Sequence, residues 1–266
     1  MTTALKIGIP VLNRGDLLRR LVDSIDVEAD VLVVLNSIGP VDASAEDAVG
    51  TLEARGRVRV ERIAGNLGVA GSWNRIMAQF GGDCLICNND IEFAPGVLRE
   101  AMACIAQRRE IVIHHLWAAA CFYATADFPK VLGWFDENIY PAYHEDQEIA
   151  LRGMALGVPR AVLLEVEGKI THNVSETRRS ASEAVQVFIR KAKGISGAYL
   201  KRRWGTIPLG EDKMPEKRFP FDKPERHPAD WTLDLESRAE VARLCVDLTG
   251  FSCPVVYHRM EGGLCS

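Results

Sequence analysis

The chain has 266 residues, with 36 acidic against 32 basic side chains and a formal net charge of −4. That length suits one large domain or one domain with an appendage, and the slight acidity excludes a globally basic nucleic-acid binder while permitting a local basic patch. With 47% hydrophobic and 26% charged residues the composition is that of a soluble globular protein, and no stretch approaches the roughly 18 consecutive apolar residues of a membrane helix. Met1 to Lys6 lead straight into strand-like sequence, without the charged lead, apolar core and cleavage site of a signal peptide. Seven cysteines is an odd count, and Cys84, Cys87, Cys104 and Cys121 lie among apolar residues. They read as reduced core thiols, which points to a cytoplasmic protein. The spacing Cys84-x-x-Cys87 has no second pair nearby and reads as core.

Residues 5–12 predict a first strand. Asn13-Arg14-Gly15-Asp16 then turns into a helix with Asp16 as N-cap, and Leu17, Leu18, Leu21, Val22 and Ile25 follow at helical spacing. Residues 31–35 predict a second buried strand, 43–54 a helix and 58–60 a short strand. This β-α-β-α-β order implies a parallel sheet with right-handed crossovers, in which ligands bind beyond the carboxyl ends of the strands. Asn66-Leu67-Gly68-Val69-Ala70-Gly71-Ser72-Trp73-Asn74 leads into a helix over 72–80, whose N-terminus is placed to face a phosphate or sugar.

The apolar run Cys84-Leu85-Ile86-Cys87 is a strand buried on both faces, and it stops at Asn88-Asn89-Asp90. In an extended segment Asn88 and Asp90 point the same way and can reach one hard cation, Mg²⁺ or Mn²⁺, with a phosphate completing the ligands. A polar turn after a core strand is the plainer alternative. Beyond a helix after Pro95-Gly96, residues 111–113, 118–124, 162–166 and 170–172 predict strands. His114 and His115 are adjacent, so on a strand they face opposite ways and read as structural. Glu145, Asp146 and Glu148 stand at the start of a helix. They are either carboxylates favoured by its dipole or a general base at a pocket walled by Trp134, Tyr143 and Trp117. His172 ends an apolar segment and is a candidate for contact with a metal or diphosphate.

Residues 182–204 predict an amphipathic helix, 206–232 an extended wrapping segment and 235–248 a last helix. Between 176 and 226 there are thirteen Lys/Arg against seven Asp/Glu, either a solvated face or a surface for an anionic partner.

Together these stretches resemble a family 2 glycosyltransferase, and most closely its small bacterial rhamnosyltransferase-like branch. Ile9-Pro10-Val11-Leu12-Asn13-Arg14 resembles the opening strand and nucleotide loop, and Asn66-Leu67-Gly68 with Gly71 and Asn74 the family's Asn-x-Gly segment. Asn88-Asn89-Asp90 resembles its metal-binding Asp-x-Asp in an Asn-x-Asp variant. Gly133-Trp134-Phe135-Asp136-Glu137, then Glu145-Asp146 and Arg152, resemble the acceptor and base segment.

The resemblance implies an α/β protein of GT-A fold, with a mostly parallel central sheet flanked by helices. It implies a catalytic domain over 1–178 and a C-terminal helical and extended appendage over 179–266. The implied activity is a metal-dependent, inverting hexosyl or deoxyhexosyl transfer from a nucleoside-diphosphate sugar. Asp146 would be the base, beside Glu145. Asp90, Asn88 and His172 would serve Mn²⁺ or Mg²⁺, and Pro10, Asn13, Arg14, Asn36, Asn66, Gly68, Asn74 and Asn89 the donor. Trp134, Tyr143 and His144 would bind the acceptor, a glycan, a lipid-linked group, a protein or a nucleic acid. Asn36 stands where the family often has a base-binding carboxylate, and Asn88 replaces the first acid of the metal motif. The alternatives are a catalytically silent nucleotide- or sugar-binding module of the same fold, and a sugar-phosphate nucleotidylyltransferase. The latter would want a glycine-rich, basic loop that Asn13-Arg14-Gly15-Asp16 does not supply.

Overall fold

The computed structural model describes residues 4–173, 176–205 and 235–251, with the side chains of 235–238 left aside. In chain order the elements are β1 (Leu5–Val11), α1 (Gly15–Asp23), β2 (Ala29–Leu35), α2 (Ala43–Ala54), β3 (Arg59–Arg62), α3 (Gly68–Phe80), β4 (Cys84–Cys87), β5 (Ile91–Phe93) and α4 (Val97–Ala106). There follow β6 (Ile113–Trp117), β7 (Cys121–Ala124), α5 (Phe128–Val131), α6 (Glu145–Leu156), β8 (Ala161–Val162), α7 (Leu164–Glu167), β9 (Ile170–His172), α8 (Glu176–Arg179), α9 (Glu183–Trp204) and α10 (Leu235–Thr249). They form two compact units that interleave along the chain. Of the described residues, one takes those within 1–64, 76–126 and 160–181, the other those within 65–75, 127–159 and 182–266.

The first unit holds a seven-stranded sheet of order β3-β2-β1-β4-β7-β6-β8. β1, β2, β3 and β4 are mutually parallel, and only β7 runs against its neighbours β4 and β6. Val31 to Leu35 and all of β4 are buried on both faces, as expected of central strands covered by helices. At one edge β3 carries Arg59, Glu61 and Arg62, charges that discourage further strand pairing. The core joins Ile7, Ile9, Leu18, Leu21, Val33, Val49, Leu85 and Leu98 with residues as late as Ile170. Gly15 admits the close approach of α1 to α2, because a Cβ there would stand 1.9 Å from the Ser44 carbonyl oxygen.

Several elements differ from expectation for identifiable reasons. Asp16 does not cap α1. Arg14 is the N-cap residue, in the left-handed region at φ 60°, and its guanidinium engages both Asp16 oxygens at 2.7 Å. That contact holds the Asp16 carboxyl down near 2. The sixth strand lies at 113–117 rather than 111–113, and 118–120 form a turn instead of strand. Ala118 sits at φ 40° and the Ala120 N–H donates to the Trp117 carbonyl. After Val162 the chain leaves the sheet edge and makes the helical turn α7, which buries Leu163 and Val166 at i, i+3 spacing. α3 begins a full turn early, at Gly68. The expected extended segment 206–232 and the tail from 252 lie outside the described residues, whereas the basic surplus lies within them, residues 176–205 carrying eight Lys/Arg against two Asp/Glu. Among the described residues no helix is long and apolar enough to cross a membrane.

In the second unit α10 packs along α9, and Ile139, Leu151, Tyr199, Leu200 and Trp204 form a separate apolar cluster.

Candidate active site

In the first unit the parallel strands β1 and β2 end level, Val11 opposite Leu35, and β4 ends about two residues earlier on the register that sets Gly8 opposite Ile86. The polar residues that follow them gather there. Asn89 donates from Nδ2 to the Asn13 carbonyl at 2.8 Å and accepts from the Thr177 hydroxyl at 3.0 Å. Asn13 donates to the Thr177 carbonyl at 2.9 Å, and Arg14 adds a 2.6 Å bond to Glu176. Asn36 is buried after β2, where its backbone N–H donates to the Val11 carbonyl at 2.8 Å. Pro10 is half-buried in β1, opposite Val34. The contributions of Glu176 and Thr177 were not foreseen; the only sequence signal was their place just beyond the strand ending at His172.

Asn88-Asn89-Asp90 is a turn and not an extended segment, since the Ile91 N–H donates back to the Asn88 carbonyl at 3.3 Å. The period-two argument that aimed Asn88 and Asp90 at one point therefore does not hold. Asn88 is half-buried, while Asn89 and Asp90 are buried. Pairing of β5 with β9, Ile91 opposite His172, instead brings a residue 82 positions downstream beside Asp90. His172 Nε2 lies 3.3 Å from Asp90 Oδ1. Behind the ring, Trp117 Nε1 donates to His172 Nδ1 at 2.9 Å.

A divalent cation fits this corner. Asp90 Oδ1 is buried and accepts no hydrogen bond among the described residues, a costly state for a carboxylate oxygen unless a ligand supplies the positive partner. No three His, Cys, Asp or Glu side chains converge among the described residues. The hard oxygen donors here thus suit Mg²⁺ or Mn²⁺ arriving with a phosphate rather than a closed protein cage.

The second unit holds the residues that the sequence suggested as base and acceptor contacts. Asn66, Gly68 and Asn74 all serve its interior. Asn66 Oδ1 accepts from the Gly68 N–H at 2.8 Å, and the Val69 N–H donates to the Pro141 carbonyl at 2.7 Å. Those first amides of α3 are thus already bonded, which leaves less of the helix end for a phosphate than expected. Gly68 is at φ +73°, where a Cβ would lie 2.8 Å from the Tyr140 ring. Asn74 is fully buried, donating to Glu137 Oε1 at 2.7 Å and accepting from the Phe135 N–H at 2.9 Å.

Two consecutive non-glycine residues, Tyr143 and His144, take φ of 75° and 81° just before α6. Such strain clusters at functional sites. Lys193, a residue the sequence reading passed over, places its Nζ 4.8 Å from the Tyr143 ring centre. His144 Nδ1 lies 2.6 Å from Gln147 Oε1. Trp134 is half-buried, and its carbonyl, with that of Leu132, accepts from Arg152 Nη1 at 2.7 and 2.8 Å. Arg152 also pairs with Glu148, both fully buried, so Glu148 is structural. Asp146 is exposed in the first turn of α6, while Glu145 is buried with Oε2 unbonded among the described residues.

Burial, reinforced by the Asp146 charge, pushes the Glu145 carboxyl from 4.5 up to about 8. Below 4.5 folded and unfolded chains both hold this proton. Between 4.5 and 8 only the folded chain does, so its stability falls by up to about 1.4 kcal/mol per pH unit as pH rises. Glu145→Gln removes that slope. Denaturant midpoints of the native protein and the variant are expected to diverge steadily from pH 5 to 8; a constant difference would contradict the burial argument.

A family model described as "Glycosyl transferase family 2" matches residues 6–140. Among solved structures the chain is similar to the mannosyltransferase PcManGT from Pyrobaculum calidifontis in complex with GDP-Man and Mn²⁺. The TM-score is 0.53 at 14% identity, over 93% of this chain and 74% of that one. It is also similar to GalNAc-T7 with UDP, GalNAc and Mn²⁺, at a TM-score of 0.50 and 13% identity, over 73% of this chain and 50% of that one. At such identities the likeness establishes the fold, the mostly parallel GT-A sheet flanked by helices. No curated protein sequence gives a significant match.

Proposed function

Because the chain belongs to glycosyl transferase family 2, we propose that it moves a hexosyl or deoxyhexosyl unit from a nucleoside-diphosphate sugar to an acceptor hydroxyl with inversion, as in the rhamnosyltransferase-like branch. The observation that carries this reading is Asp90 Oδ1, buried and without a hydrogen bond among the described residues just after β4, inside the family-matched segment. Asp90, with Asn88 from the same turn, would hold Mn²⁺ or Mg²⁺. That cation would supply charge neutralisation to the departing diphosphate. Asn13, Arg14, Asn36 and Asn89, at the ends of β1, β2 and β4, are the proposed donor contacts. Asn66, Gly68 and Asn74 support the site by holding the 135–141 segment.

Asp146 is the proposed base and Trp134, Tyr143 and His144 the proposed acceptor surface. As the acceptor oxygen bonds to the anomeric carbon, its proton passes to Asp146. The bond from that carbon to the diphosphate oxygen breaks, and the electron pair leaves with the nucleoside diphosphate. A single displacement of this kind inverts the centre, and it needs base and leaving group on opposite faces of the sugar, as in inverting glycosidases. At neutral pH Glu145 keeps its own proton and does not compete with Asp146. The proposed setting is the cytoplasm, where buried free thiols such as Cys84 and Cys87 persist reduced.

The test is titration with UDP, GDP and dTDP, with and without Mn²⁺, followed by thermal unfolding. A nucleoside diphosphate present at 100 times its Kd is expected to add about 2.7 kcal/mol of stability, and Asp90→Ala to abolish the Mn²⁺-dependent part. Equal Mn²⁺-dependent stabilisation of Asp90→Ala would remove Asp90 from the role.

A further inference from the structure

His172 stands beside Asp90, and the simplest expectation is a second protein ligand for the cation. Its hydrogen bonding opposes that. An indole N–H can only donate, so the 2.9 Å contact from Trp117 Nε1 requires a lone pair on His172 Nδ1. In the neutral ring the proton then lies on Nε2, and that nitrogen has no lone pair for a metal. Nε2 is also the atom that faces Asp90, 3.3 Å from Oδ1, without the alignment of a hydrogen bond. Among the described residues the corner therefore offers one buried carboxylate oxygen with no hydrogen bond and, next to it, one N–H with no aligned acceptor. A bare cation satisfies only the first. A cation carrying an anion satisfies both.

We propose that Trp117 is a positioning residue that holds His172 as the Nε2–H tautomer, so that the ring donates to a diphosphate oxygen of the bound donor and takes no place among the cation's ligands. The inference rests on the reading of Asp90 as the cation's carboxylate, and it assigns His172 to the anion rather than the metal. The placement follows from the fold. Trp117 ends β6, whose sense matches that of β4 across the reversed strand β7, and His172 is delivered beside Asp90 by the β5–β9 pairing. Trp117 and His172 also meet edge to face, ring centres 6.0 Å apart, so the indole fixes the imidazole plane as well as its proton.

The first experiment needs no ligand. Long-range ¹H–¹⁵N spectra of the neutral imidazoles in the native protein are expected to show His172 wholly as the Nε2–H tautomer, and Trp117→Phe to show a mixture. A native Nδ1–H tautomer overturns the proposal. The second compares Mn²⁺ alone with Mn²⁺ plus inorganic diphosphate or UDP, GDP or dTDP, titrated into native protein, His172→Ala and His172→Gln. His172→Ala is expected to leave Mn²⁺ affinity within about twofold and to weaken the diphosphate complex roughly tenfold, the scale of one hydrogen bond to a charged group. His172→Gln, which restores an N–H donor, is expected to recover most of that loss. A loss of Mn²⁺ affinity alone in His172→Ala, unrelieved by Gln, would make His172 a ligand and overturn the proposal. If the native protein binds no nucleoside diphosphate at all, the reading of the Asp90 site fails, and the spectra still report whether Trp117 sets the tautomer.

Discussion

Asp146→Asn is expected to lower sugar transfer by roughly 10²–10⁴-fold, the usual contribution of a positioned base, while nucleoside-diphosphate affinity stays within about twofold. The amide keeps the shape and loses the proton acceptor. Replacing this charge in the first turn of α6 costs the helix only about 0.3–1 kcal/mol, so the variant folds. Glu145 is no substitute: it is buried and retains its proton up to about pH 8, whereas Asp146 is exposed. Initial rates at saturating donor, set beside calorimetric titration of the nucleotide, separate the two effects. Activity within a few-fold of native would assign the base elsewhere.

The largest effect on stability is expected at Asp136. This fully buried carboxylate accepts from the Tyr199 hydroxyl at 2.7 Å and, through its other oxygen, from the Asn138 side chain at 2.8 Å. It also pairs with Arg203, itself buried near the end of α9. Removing one partner of a buried pair leaves the other charge uncompensated, at about 3–5 kcal/mol. Asp136→Ala is therefore expected to lower the denaturation midpoint sharply, and to harm the double variant with Arg203→Met much less than the two single costs summed. Strict additivity in that cycle would show that the two side chains act independently. Burial, and after it the Asp136 charge, pushes the Tyr199 hydroxyl well above its ordinary range.

The sheet was legible wherever hydrophobic pattern and strand length agreed. β2, α2, β4 and α9 fall close to their expected spans, because uninterrupted Val31 to Leu35 and a Ser182 cap leave few other solutions. Errors arose where short apolar runs met turns. Residues 162–166 and 118–120 carry strand-like side chains, but a sheet edge and a left-handed Ala118 decide their backbone. The Asn-Asn-Asp motif was found, yet its geometry was misjudged, since composition does not distinguish a turn from an extended end. The partners of that motif were not legible at all. Thr177 and Trp117 reach Asn89 and His172 through contacts 88 and 55 positions apart, and no local spacing encodes such pairs.

The Asp136–Arg203 pair spans 67 positions. During synthesis at about 5–20 residues per second, the acidic partner emerges from the ribosome several seconds before its cation, and Tyr199 comes only slightly ahead of that cation. For that interval the nascent 127–159 stretch carries a charge it cannot bury, so its compaction waits on α9 rather than on its own length. Translation halted short of residue 203 would leave this half of the molecule open to proteases and chaperones, however complete the first unit already is.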